Sequence, residues 1–89
     1  MPDQPNQYTL VITRSFYKDL QKINKPDQLR IRKALSDIAA DPHKGRRVVS
    51  AEIGQFRWRV GKYRIRYDIS EKQVVVLRVI KREDVYRHF

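Results

Sequence analysis

The chain has 89 residues, with 20 Lys and Arg against 10 Asp and Glu, a formal net charge of +10. A chain this short buries roughly 60–65% of its unfolded surface, enough for one compact core and no deep cavity, so any chemical site is expected on an open surface. The absence of cysteine excludes disulfides, thiolate nucleophiles and cysteine-based zinc sites.

The start, "MPDQPNQ" (residues 1–7), is polar, lacks the apolar run of a signal peptide and reads as a flexible terminus. Tyr8–Thr13, "YTLVIT", is β-branched and aromatic, which predicts a short strand. Thr13 or Ser15 then offers an N-cap, and Phe16, Leu20 and Ile23 fall on one helical face. Pro26 suits the first turn of a second helix, whose stripe is Ile31, Ala34, Leu35 and Ile38, with Lys33 and Asp37 spaced to pair outside. Asp41-Pro42 ends it, because the residue before proline is pushed out of helical geometry. Almost nothing separates the two helices, so an antiparallel hairpin is expected. His43–Gly54 reads as a loop with some extended character, and His43 receives no role. Three strands follow, Phe56–Val60, Tyr63–Ile69 and Val74–Ile80, joined at Gly61-Lys62 and Ser70–Lys72 by hairpin-length turns. The tail Arg82–Phe89 is expected to form a short helical turn.

The order β-α-α-β-β-β predicts a single α+β domain over residues 1–89: an antiparallel four-stranded sheet with the helical hairpin on one face. The longest apolar run, "VVVL" (Val74–Leu77), is far short of a membrane span, and His43 and His88 are too few and too distant for a metal site. A cytoplasmic soluble domain without metal or cofactor is expected. Strand alternation puts Phe56, Trp58, Val60, Tyr63, Ile65, Tyr67 and Ile69 under the helices, with Val75, Leu77 and Val79 inward on the last strand. Arg57, Arg59, Arg64, Arg66, Arg78 and Arg82 are left on the uncovered face. A solvated outer face is the plain alternative, since a half-buried sheet needs one and basic residues guard sheet edges. Two features favour a binding surface. Glu52 and Asp68 are the only carboxylates between Gly45 and Ser70. Arginine, which binds phosphate through a bidentate fork, dominates over lysine there. Nucleic acid is the first partner class such charge implies, an acidic protein the second and a membrane surface a distant third.

From Tyr8 to Phe89 the chain resembles the RelE/ParE superfamily of toxins from bacterial and archaeal toxin–antitoxin pairs. The resemblance rests on "LSDIAADP" closing the helical hairpin, on "FRWRVGKYRIRY", and on "VVVLRVIKREDVY". The pattern R-V-G-x-Y-R-I-x-Y (Arg59–Tyr67) marks the superfamily without separating its branches. RelE-like members cut messenger RNA, usually in the ribosomal A site. ParE-like members poison DNA gyrase and tend to lack the RNase residues. The RelE-type site maps onto Arg57, Arg59, Arg64, Arg82 and Tyr86, so the RelE-like mRNA interferase branch is the one implied. Arg57 and Arg59 stand where lysine is familiar, Ile80 where glycine is common, and Lys81 where many relatives have histidine.

The resemblance implies a ribosome-dependent, metal-independent endoribonuclease that inhibits translation. The substrate's own 2′-hydroxyl attacks phosphorus, leaving a 2′,3′-cyclic phosphate and a 5′-hydroxyl. Arg64 and Arg82 suit charge stabilisation, Arg57 and Arg59 hold phosphates, and Arg66, Arg78 and Lys81 are assigned to RNA binding. Arginine stays protonated beyond about pH 12, so either the acceleration is mostly electrostatic or another group accepts the proton, with Tyr86, His88, Glu83 and Asp84 all in the tail. The implied partners are an acidic antitoxin, the ribosome and mRNA. The alternatives are a gyrase-inhibiting toxin and a non-catalytic RNA-binding member.

Overall fold

Apolar residues at helical spacing build both helices of the computed structural model, which describes residues 7–48 and 54–81. After strand β1 (Thr9–Ile12), helix α1 (Arg14–Gln21) buries Phe16 and Leu20, and α2 (Lys25–Ala40) buries Ile31, Ala34, Ile38 and Ala39. Of the two expected caps for α1, Thr13 is used. Its Oγ1 accepts from the Phe16 amide at 3.2 Å and donates to the Val76 carbonyl at 2.8 Å, tying helix to sheet. Asn24 caps α2 by accepting from the Asp27 amide at 2.9 Å. Gln28 then pins the hairpin: its Nε2 donates to the Leu20 and Ile23 carbonyls at 3.0 and 2.8 Å, satisfying groups left over where α1 ends. Among the described residues Lys33 and Asp37 do not pair, and the ion pair on α2 is Arg30–Asp27 at 3.6 Å.

Strands β2 (Arg46–Arg47), β3 (Phe56–Val60), β4 (Tyr63–Ser70) and β5 (Gln73–Lys81) complete a sheet of order β1-β5-β4-β3-β2. The meander β3-β4-β5 is antiparallel, as expected. The expectation of four antiparallel strands is corrected twice: the sheet has five strands, and β1 lies parallel to β5, from Thr9 opposite Gln73 to Ile12 opposite Val76. Chain direction explains the parallel pair. α1 continues the way β1 points, α2 returns to where β1 began, and the Tyr8 amide there donates to the Ala39 carbonyl at 2.9 Å. β3 sets out from that end, so β3 and β5 run with β1.

The helices cover the expected face. Tyr63, Ile65 and Tyr67 of β4 are buried against Phe16, Leu20, Ile31, Ala34 and Ile38, with Phe56, Trp58 and Val60 of β3 packed beside them. The inward set on β5 is corrected: the buried residues are Val74, Val76 and Val79, not Val75, Leu77 and Val79. Arg66 faces Arg78 while Tyr67 faces Val76, so Leu77 is an extra residue. This β-bulge shifts the alternation by one midway along the strand.

Tyr67 is fully buried and stacks on Phe56 with ring centroids 5.6 Å apart. Its hydroxyl donates to the Pro42 carbonyl at 2.7 Å, in the 3₁₀ turn Pro42–Lys44. A Cβ at Gly45 would overlap that hydroxyl, so the turn closes on the ring only with glycine there. Burial, then the charge of Asp41, pushes the Tyr67 pKa up to about 12, with the Gly45 amide pulling the other way. The fold therefore holds the proton more tightly than the unfolded chain, which releases it from 10.0 upward. That contribution is intact below pH 10 and is lost as pH climbs towards about 12. Tyr67→Phe is expected to cost about 1–3 kcal/mol at neutral pH, because the Pro42 carbonyl loses its donor. In denaturant unfolding, the gap between wild type and variant should shrink across the alkaline window; a gap independent of pH would show that the hydroxyl is not so held.

Candidate nucleic-acid interface

Register alone builds the site. On the face away from the helices, Arg46 lies opposite Arg57, Arg57 opposite Arg66, and Arg66 opposite Arg78. One step along, Arg59 lies opposite Arg64 and Arg64 opposite Ile80. Like charges directly across a ladder are destabilising, so this arrangement opposes the fold unless an anion offsets it. Arg46 was missed in the sequence, where β2 was taken for part of a loop. The available signal was the extended run Arg46-Arg47-Val48-Val49.

The arginines are not equivalent. Arg64 is only 9% exposed, and among the described residues it makes no hydrogen bond or ion pair. It lines an open cleft of about 770 Å³ together with Arg46, Arg57 and Arg59. The other wall comes from Asp37, Ala40 and Asp41 at the end of α2. The cleft follows β3 beyond the stretch paired with β2, which among the described residues covers only Phe56 and Arg57. Arg66 turns inward instead. Its Nη2 donates to the Gly54 carbonyl at 2.9 Å, and its buried Nε has no partner. Gly54 takes a φ of +69, a conformation that favours glycine and aims this carbonyl at the guanidinium. Burial first, then the charges of Arg57 and Arg64, hold the Arg66 pKa below the ordinary guanidinium value, with Asp68 opposing. Asp68 is itself engaged, accepting from the Gln55 amide at 2.6 Å.

Arg78, expected on the open face, is drawn to the sheet edge. Its Nε and Nη2 donate to Asp19 of α1 at 2.6 and 3.1 Å, and the Val79 amide donates to the same carboxylate at 3.2 Å. β1 stops beside Val76, so Asp19 supplies the acceptor that a longer β1 would have given. These bonds raise the Arg78 pKa. Lys81 pairs with Tyr63 and so projects on the helix side, away from the arginine rows. Arg57, Arg59 and Arg64 are thus brought together, Arg66 lies behind them, and Arg78 and Lys81 stand apart. Arg82 and Tyr86, with Glu52, Glu83, Asp84 and His88, lie outside the described residues. His43 packs edge-on between Tyr8 and Phe56, at 6.1 and 6.2 Å between ring centroids.

Residues 10–86 match the family model described as the ParE toxin of type II toxin–antitoxin system, parDE. The chain belongs to this toxin family. No curated protein sequence matches it. Among solved structures, the toxin–antitoxin complex RelBE2 from Mycobacterium tuberculosis is similar at 28% identity and a TM-score of 0.78, over 90% of this chain and 97% of that chain. The RelB–RelE antitoxin–toxin complex from Methanococcus jannaschii is 21% identical with a TM-score of 0.70, over 89% of this chain and 98% of that one. A mutant of E. coli toxin RelE in the free state is 20% identical with a TM-score of 0.69, over 91% and 92%. The last two establish a shared fold. The toxin is thus a RelE/ParE-like member of a type II toxin–antitoxin system. Among its described residues no helix is long and apolar enough to cross a membrane.

The Asp19 clamp yields a prediction whose two readouts move in opposite directions. Asp19→Ala should lower stability by about 1–2 kcal/mol, because Arg78 and the Val79 amide lose a charged acceptor at a partly exposed site. It should also lengthen retention on a polyanionic column, because a cation is released. Lower stability with unchanged retention would mean that Arg78 stays sequestered by another group.

Proposed function

We propose that this toxin is an endoribonuclease that cleaves mRNA on the ribosome, in the cytoplasm, by attack of the substrate's 2′-hydroxyl on the adjacent phosphorus. The observation that carries the reading is Arg64: a largely covered side chain, unpaired among the described residues, whose guanidinium opens onto a cleft it shares with Arg57 and Arg59. A cation held in place at the cleft without a counter-charge among the described residues is ready to meet a phosphoryl group there. Such a donor is fixed before the reaction begins, so it stabilises charge as it develops on the phosphoryl oxygens. Arg59, exposed at the cleft, and Arg57 beside it hold flanking phosphates and align attacking and leaving oxygens. Arg82 is assigned a second charge-stabilising role. Arg66, with one unsatisfied N–H behind this row, adds long-range attraction for phosphate.

As the O2′–P bond forms and the P–O5′ bond breaks, the 2′-hydroxyl proton passes to water and the departing 5′-oxygen takes one up from water, since neither Arg57 nor Arg59 accepts a proton at neutral pH. Tyr86 is assigned to stacking on the splayed base. An acidic antitoxin is the proposed inhibitor, since the solved complexes similar to this chain hold a RelB-type partner and the chain carries +10. The second reading is gyrase inhibition, favoured by the match to the ParE family model.

Induction of the toxin in cells separates the two. Primer extension should find new 5′-hydroxyl ends within reading frames, while plasmid supercoiling stays normal; altered supercoiling with intact transcripts would assign the toxin to gyrase. Arg64→Ala should slow single-turnover cleavage by roughly 10²–10³, about 2.7–4 kcal/mol, with ribosome affinity nearly kept. Tyr86→Phe should keep most activity and Tyr86→Ala lose most of it, since stacking contributes roughly 1–3 kcal/mol and needs only the ring. A Phe variant as inactive as the Ala variant would make the hydroxyl the proton carrier.

A further inference from the structure

A second basic cleft lies at the opposite end of the helical hairpin. It is open, about 610 Å³, and its charged lining is Lys22, Lys62, Lys81, Arg78 and Asp19. Three separate elements deliver the lysines: the α1–α2 turn, the β3–β4 turn and the end of β5. The carboxylate is already spent, because Asp19 is held by Arg78 and the Val79 amide. All three lysines are exposed, and none has an ion pair among the described residues. Lys62 sits over the Tyr63 ring, 5.9 Å from its centroid.

The two clefts are neighbours around one hairpin. Arg59 and Arg64, paired in one ladder row, line the first, and Tyr63 and Lys81, paired in the next row, line the second. Consecutive residues of β4 point to opposite faces, so Arg64 opens into one cleft and Tyr63 into the other. A strand leaving the arginine cleft over the β3–β4 turn passes Gly61 and Lys62 on its way to the other lysines.

We infer that Lys22, Lys62 and Lys81 form a second phosphate-binding subsite, which holds the backbone of single-stranded RNA as it passes from the arginine cleft around the β3–β4 turn. The inference rests on the ribonuclease reading for the strand in the first cleft. Lysine, a mobile point charge, suits phosphates held without fixed geometry, whereas the reacting phosphate is met by arginine forks. The site is selective for charge and not for sequence.

The test is fluorescence anisotropy on the full chain with a 2′-O-methylated oligoribonucleotide, which resists cleavage and is long enough to span both clefts. A dinucleotide too short to leave the arginine cleft is the control. The variant Lys22→Gln/Lys62→Gln/Lys81→Gln alters only exposed side chains, and circular dichroism and thermal unfolding check that it folds. Each single-strand phosphate contact adds about 0.7 to the salt slope, so three contribute about 2, and between about 50 and 200 mM salt wild-type affinity should fall roughly 20-fold further than the variant's. Dinucleotide affinity should match wild type. A long-probe slope unchanged in the variant overturns the subsite and leaves the ribonuclease reading standing. Lost affinity for an acidic antitoxin peptide with an unchanged RNA slope also overturns it, making the cleft a protein-binding surface. If wild type binds neither probe, the subsite falls, and the ribonuclease reading is decided separately by primer extension in cells.

Discussion

The buried hydroxyl of Tyr67 ties the parts of this toxin together. The ring belongs to the central strand and is closed off from water by both helices. Its oxygen reaches out of the apolar core to the Pro42 carbonyl, where α2 has just ended. That bond fixes the turn, the turn places Gly45 against the ring, and Gly45 leads directly into Arg46 and β2. The wall of the arginine cleft formed by residues 41–46 is therefore hung from a core residue. A tyrosine suits this position because its body is apolar while its tip satisfies a carbonyl that would otherwise be buried unpaired.

From that frame follows an electrostatic conflict. Three arginines stand side by side across β2, β3 and β4, and two more face one another a step along. The fold relieves part of the conflict internally. Arg66 donates to the Gly54 carbonyl, and Arg78 is drawn off the face by Asp19. It leaves Arg64 without a partner among the described residues, its side chain largely covered and its guanidinium open to the cleft. Selection for stability alone would have paired or replaced such a residue, since like charges facing one another across a ladder oppose folding. The asymmetry between relieved and unrelieved arginines is what favours the proposed binding site over a merely solvated face.

The bulge at Leu77 links the two ends of the molecule. It lets β5 keep Val74 and Val76 under the helices and still present Val79 to the core, while Arg78 swings to the edge. Asp19 then caps the edge that β1 leaves uncovered. One short helix thus terminates the sheet edge, neutralises one arginine and carries the chain into the turn that bears Lys22.

The sequence by itself determined the layers and most of the polarity. Alternation in Phe56–Val60 and Tyr63–Ile69 assigned Trp58, Ile65 and Tyr67 to the core and Arg57, Arg59 and Arg64 to the far face, because period-two patterning is a local property of the strand. Thr13 and Pro26 placed the helix starts for equally local reasons. The tertiary structure alone decided the rest. The parallel β1–β5 pair depends on where a helical hairpin sets the chain down. β2 exists only because β3 offers it an edge, its two residues being too few to show a pattern. The bulge at Leu77 is a matter of register between strands, invisible in "VVVL". The fate of each arginine was settled by partners far away in sequence, Asp19 for Arg78 and Gly54 for Arg66. Charge count and alternation state how many cations share a face; only packing states which of them is left with nothing to bind.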